Sequence, residues 1–305
     1  MNTFNSIIIL GPTASGKTKL AAHLAQQKQG TVLSFDSRQV YTGLNIGTGK
    51  DLNEYTINGE SIPYELIDIC GVNTNFHSYE FVKKYIHAFD KCQATNRLPI
   101  LCGGNGLYFD LVLKEFQNIN IPNDEDLRDE LEKMEHEKLI QNLKSFPEEI
   151  IKTADTSTIK RTIRALEIAK WKSQNHHEKI PYPKLKPILF SILSTVEERN
   201  IKIKKRLEQR IQDGLIEEVK LLLEQGIPKE RLIYLGLEYR IITEYIYGLY
   251  DLKKAIELLE TAIIQYAKRQ MTWFRKLERD GYIINWIDSD LALEKKLEYI
   301  NSIMG

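Results

Sequence analysis

Three cysteines in 305 residues, Cys70, Cys92 and Cys102, are too few for a disulfide framework, and none stands in a Cys-x-x-Cys pair. Reduced, mostly buried thiols are expected rather than a zinc site. No apolar run reaches the roughly 18 residues that a membrane helix requires, and no basic segment followed by an apolar core opens the chain. Neither membrane insertion nor export is therefore expected, and the chain reads as cytosolic. An excess of charge is lacking too: 42 basic and 42 acidic side chains cancel. Without a global basic field, any nucleic-acid site must be a local patch. Internal repeats, low-complexity tracts and an Asn-Lys-x-Asp guanine signature are also absent, which argues against repeat architectures and a GTPase switch.

The most informative stretch present is Gly11-Pro12-Thr13-Ala14-Ser15-Gly16-Lys17-Thr18, between the apolar run Ile7–Leu10 and an amphipathic segment from Lys19. Strand, glycine loop and helix in that order bring backbone N–H groups and a helix N-terminus onto one anion. Gly11 and Gly16 permit the tight path, Lys17 reaches phosphate oxygens, and the Thr18 hydroxyl is placed for a magnesium ion. A di- or triphosphate ligand follows; whether a phosphoryl group moves does not.

Further along, Thr31–Phe35 reads as a second buried strand ending at Asp36, where open α/β sheets place their ligands. The polar, glycine-rich segment from Ser37 to Lys50 reads as a functional loop. Leu66–Ile69 reads as a third strand, and Tyr79 to Asn96 as a helix stopped by Pro99. Ile100–Cys102 leads into a second glycine turn, Gly103-Gly104-Asn105-Gly106. The alternation predicts an α/β fold built on a doubly wound parallel sheet, of the phosphate-loop NTPase kind.

From Gln117 to Lys184 no strand is convincing until Pro187–Leu193, so residues 117–184 are expected to form a helical insertion in a core of 1–116 and 185–305. Lys160, Arg161 and Arg164 share a face of one insert helix. Later, Lys202, Arg206 and Arg210 recur every four residues; such like charges repel by about a few tenths of a kcal/mol per pair, which an anion would relieve. Ala267 to Lys276 interleaves cations with Trp273 and Phe274, a composition suited to phosphate contact and base stacking, although core packing is the first expectation for both aromatics.

In these blocks the chain resembles the tRNA dimethylallyltransferases, or tRNA isopentenyltransferases. The resemblance runs through Gly11–Thr18, Asp36-Ser37 with Gln39-Val40-Tyr41, Ile46-Gly47-Thr48, Pro99–Tyr108, Arg161–Glu167, Gly214–Val219 and Arg269–Arg275. It implies a prenyltransferase that moves the dimethylallyl group of dimethylallyl diphosphate to N6 of the adenosine 3′ of the anticodon in tRNA. By the same resemblance Asp36 is the base, Arg206 binds diphosphate beside Gly11–Thr18, and Thr18 holds Mg2+. Ser37, Gln39, Tyr41, Arg161, Arg164, Arg269, Gln270 and Arg275 would meet the tRNA anticodon stem-loop, with the insert and the late helix acting together on a monomer.

The chain departs from the family's usual residues at Asn105 (usually Thr), at Gly49-Lys50-Asp51 (usually Ala-Lys-Pro), at Tyr64-Glu65 (usually His-His) and at Gly236-Leu237-Glu238-Tyr239 (usually Gly-Tyr-Lys-Glu). An isopentenyltransferase acting on free adenine nucleotides shares the loop and the aspartate, so it is the alternative. A phosphate-loop kinase would leave Asp36 to Lys50 unexplained, and a nucleotide-regulated RNA-binding module would leave the aspartate idle.

Overall fold

The computed structural model describes residues 4–174 and 179–305. The chain divides into two compact units, Met1–Leu113 with Pro183–Gly305, and Lys114–Tyr182.

In the first unit β1 (Ser6–Leu10) is buried along its whole length, as a strand covered on both faces must be. It feeds the glycine loop and α1 (Lys17–Lys28), which returns to β2 (Gly30–Phe35). A 3-10 turn and the short hairpin of β3 (Thr56–Ile57) and β4 (Glu60–Ser61) precede β5 (Tyr64–Glu65). Next come α2 (Ser78–Ala94), β6 (Leu98–Gly103) and α3 (Gly106–Leu113). After the second unit, β7 (Pro187–Leu193) leads to α8 (Val196–Gln212). Glu198 and the Thr195 hydroxyl close a reciprocal capping box at the start of α8.

The six sheet strands lie in the order β5-β2-β6-β1-β7-β8, all parallel, with β8 at Ile284–Asp288. Because β6 separates β1 from β2, the loops leaving β1, β6 and β2 stand side by side. Ligands settle at such a crossing point. Isoleucines of β1 pack with Leu20, Leu24, Val32 and Ile100 to form the core on one side of the sheet. Phe35, Phe81, Tyr85 and Phe109 form an aromatic layer of edge and stacked contacts.

The remaining helices are α9 (Leu215–Glu224), α10 (Lys229–Tyr234), α11 (Leu237–Ile246), the 28-residue α12 (Leu252–Arg279) and α13 (Leu293–Met304). On α12 a buried stripe of Ala255, Leu259, Ile263, Ala267, Met271 and Phe274 explains its length. Among the described residues no helix is long and apolar enough to cross a membrane.

The second unit contains α4 (Glu125–Leu131), α5 (His136–Lys144), α6 (Glu148–Ile151) and α7 (Ile159–Gln174). Leu131, Leu139, Leu143, Ile163 and Leu166 form its core. Its buried carboxylate, Glu167, accepts from Asp124 N at 2.8 Å, from Arg128 Nε at 2.8 Å and from Arg164 Nη1 at 3.1 Å. Among its described residues there is no strand.

Three details differ from the sequence expectation. Only Tyr64–Glu65 pairs as the third sheet strand; Leu66 and Asp68 take left-handed backbone (φ 69 and 54), which breaks the ladder where the apolar pattern suggested a strand. Pro99 does not stop α2 but lies inside β6 opposite Thr31; the helix ends at Ala94, and Asn96 turns the chain at φ 50. β8 is a strand without a continuous apolar run in its sequence, Ile-Asn-Trp-Ile-Asp, and is followed by α13. Its position beside β7 at the sheet edge tolerates the polar residues.

Candidate active site

The loop after β1 turns twice through left-handed backbone, at Ala14 (φ 60) and Gly16 (φ 78). Successive N–H groups are thereby turned inward as an anion nest at the start of α1. At Gly11 a Cβ would lie 2.5 Å from Ser15 Oγ, so a side chain there would displace that hydroxyl. That hydroxyl is buried and has no hydrogen-bond partner within the protein. An anion in the loop would satisfy it. Desolvation, aided by Arg206, lowers the Lys17 ammonium from its usual value; Cys102, Asp36 and Asp51 oppose the shift.

Thr13–Thr18 form one wall of a cavity of about 680 Å³. Asp36 faces the same cavity from the end of β2, its Oδ1 accepting from Arg38 N at 2.8 Å. Ser37 and Gln39 also line it, but Gln39 is bonded within the protein: its Oε1 accepts from Ser34 Oγ at 2.7 Å and its Nε2 donates to Gly49 O at 3.0 Å. Tyr41, expected at the RNA, is instead 3% exposed in the core under the Arg231 guanidinium. Its ring belongs to the apolar cluster of α9, α11 and α12.

α12 supplies the opposite wall. Gln270 accepts from Thr13 N at 2.9 Å and donates from Nε2 to Gly104 O at 3.0 Å, so its amide joins the phosphate loop to the second glycine turn. Gly104 is required because a Cβ would lie 2.1 Å from Gln270 Nε2. Gln270 is thus a brace, 6% exposed, rather than a free RNA contact. Trp273 lines the cavity, with its indole donating to Asp110 at 2.9 Å and its ring stacked on Phe109, whereas Phe274 is wholly buried. Asn105, where the family usually has Thr, accepts from Leu107 N at 3.1 Å and so caps α3 as Thr would.

The third wall is the loop from Asn45 to Asp51. Lys50 is 1% exposed and ties the loop from behind, donating to Tyr41 O at 2.8 Å and Asn45 Oδ1 at 3.0 Å and pairing with Asp68. From the front the Glu218 carboxylate accepts the N–H groups of Asn45, Ile46 and Gly47 at 2.8 to 3.1 Å, and the Tyr239 hydroxyl at 2.6 Å. Arg206 reaches the cavity and pairs with Asp51. Arg210 and Glu238 also line the cavity, and Glu218 holds its loop wall, roles that the sequence pattern does not by itself assign. The block Gly214–Val219 and the cationic stripe on α8 were the available signals.

The expected RNA residues are dispersed. Arg269 lines the cavity and lies over Tyr266, while Arg275 is exposed on another face of α12. In the second unit Arg161 is exposed and pairs with Asp155 at 2.9 Å. Arg164 is largely committed: it donates to the carbonyls of Asn118, Ile121 and Pro122 and to Glu167.

A parallel α/β sheet with a nest-forming glycine loop, a strand-end carboxylate and arginines around one cavity defines a phosphate-loop group-transfer protein. Residues 39–277 match the family model "IPP transferase" and residues 4–64 match "Isopentenyl transferase". The chain belongs to the IPP transferase family. It is 42% identical to tRNA dimethylallyltransferase 2 of Bacteroides fragilis over 300 residues, covering 98% of each chain. The fold superposes on the tRNA isopentenylpyrophosphate transferase of Bacillus halodurans with a TM-score of 0.71 at 31% identity, covering 98% of this chain and 95% of that one. The tRNA delta(2)-isopentenylpyrophosphate transferase of Staphylococcus epidermidis gives 0.68 at 30%, covering 98% and 97%.

Proposed function

We propose that the protein transfers the dimethylallyl group of dimethylallyl diphosphate to N6 of the adenosine 3′ of the anticodon in tRNA, releasing diphosphate. The observation that carries this reading is that the phosphate loop, Asp36 and Arg206 open onto one cavity, in a chain whose relatives are named tRNA dimethylallyltransferases. The exocyclic amine is a weak nucleophile because its lone pair is delocalised into the ring. Asp36 takes the amine proton as the carbon–nitrogen bond forms. Charge developing on the leaving diphosphate is met by Lys17, the loop amides from Ala14 to Thr18 and Arg206, already aimed before reaction.

Among the described residues no group of three or more His, Cys, Asp or Glu could hold a metal. A Mg2+ ion keeps water and phosphate oxygens as most of its ligands, and the Thr18 hydroxyl in the cavity wall would be its protein ligand. When bound, the ion would neutralise charge on the diphosphate. The target base must leave its stack, at a cost of about a few kcal/mol. Ser37 and Arg269 line the cavity it would enter. Arg161 in the second unit and Arg275 on α12 are exposed and would meet backbone phosphates.

The test is to mix the purified protein with labelled dimethylallyl diphosphate and either undermodified tRNA or AMP. Label transferred to tRNA alone is expected. Transfer to AMP, or none to either, would overturn the proposal.

A further inference from the structure

Arg206 and Arg210 stand one helical turn apart on α8, and both line the cavity. Their guanidinium groups converge on Gly49: a Cβ built there would lie 1.7 Å from Arg210 Nη2 and 2.7 Å from Arg206 Nη2. Only a residue without a side chain lets both cations reach this wall. The Arg210 side chain is 11% exposed. Its one ion-pair partner among the described residues is Glu238, with Oε1 3.5 Å from Nη1, the outer limit of a hydrogen bond. A guanidinium carries five N–H donors, so most of its capacity is unused. Asp51 already offsets the Arg206 charge, whereas Arg210, largely out of water and only distantly met by Glu238, keeps donors free for a further anion.

We propose that Arg210 is a second diphosphate-binding arginine, which with Arg206 forms a two-arginine grip on the donor's leaving group. Gly49 makes the room, while Asp51 holds Arg206 and Glu238 holds Arg210 at the cavity wall. Gly49, Asp51 and Glu238 all touch this arginine pair. The inference rests on the donor reading above.

The test titrates inorganic diphosphate into the full chain by calorimetry, for wild type, Arg210→Gln, Arg210→Lys and Gly49→Ala, alongside Michaelis constants for dimethylallyl diphosphate and for tRNA. Gly49→Ala keeps both arginines but displaces their heads, that of Arg210 most, and Ala14 shows that alanine is accommodated at nearly the same left-handed φ, 60 against 59. Arg210→Gln and Gly49→Ala should each weaken diphosphate binding about tenfold or more, since charge-assisted contacts are lost, and raise the donor Michaelis constant in parallel. Arg210→Lys should recover part of the loss, and tRNA affinity should change less than about twofold. Should Arg210→Gln not fold, Gly49→Ala and Arg210→Lys decide. Wild-type diphosphate affinity in the folded variants overturns the role of Arg210, and so does an equal loss of tRNA affinity. A wild-type protein that binds no diphosphate overturns the donor reading and this inference with it.

Discussion

Replacing Gln270 by methionine removes one amide and two contacts while keeping an unbranched side chain in a tight space. The bond to Gly104 O is buried, so its loss strands a carbonyl; the bond to Thr13 N faces the cavity, where water can partly replace it. Stranding a buried group costs about 1–3 kcal/mol, and a replaced bond about 0.5–1.5 kcal/mol, so the sum is roughly 1.5–4.5 kcal/mol. Part of this falls on global stability, read as a drop of about 2–4 °C in melting temperature per kcal/mol. The rest falls on the phosphate loop, which loses its tie to α12. About 1.4 kcal/mol there corresponds to a tenfold rise in the donor Michaelis constant. The assay varies dimethylallyl diphosphate at saturating tRNA, then tRNA at saturating donor. A donor effect near tenfold with tRNA nearly unchanged is expected. The opposite pattern, a raised tRNA constant with an unchanged donor constant, would show that Gln270 contacts the RNA and would refute the bracing argument.

Other predictions address the base, the insert and the thiols. Asp36→Ala should lower turnover roughly a hundredfold or more while sparing diphosphate binding; near-normal turnover, or rescue by high magnesium, would remove Asp36 as the base. Arg161→Glu should weaken tRNA binding and lower the log–log salt slope by about one, with unchanged melting. Arg164→Glu should instead unfold the second unit, because it sets a carboxylate against Glu167 and three carbonyls, and circular dichroism melting would show this. Burial pushes the Cys102 thiol up to about 12 from an ordinary 9.0. Between those values the unfolded chain releases a proton that the folded chain keeps, so stability should fall as pH rises through that window. Cys102 should also resist alkylation in the native protein near pH 8, and rapid labelling there would contradict its burial.

What the sequence alone determined was local in origin. The loop Gly11–Thr18 is legible because its backbone path, its lysine and its hydroxyl must be contiguous, and the apolar run before it can only be a covered strand. Asp36 is legible for a similar reason, at the end of a second such run. Arginines on the surface of helices were harder to rank. Arg161 and Arg164 look alike in the sequence, yet one is exposed and the other serves carbonyls and Glu167, because helix phase against the segment 118–122 decides which guanidinium is enclosed. Only tertiary structure showed that Tyr41 is core, that Gln270 spans two glycine turns contributed by different strands, and that Glu218 holds a loop more than 170 residues away. Those contacts join segments far apart in the chain, and no local pattern encodes them. The arginine pair over Gly49 is the sharpest case. A missing methyl group at one loop position decides where two cations on a helix can stand, which becomes visible only when the two backbones are brought into contact.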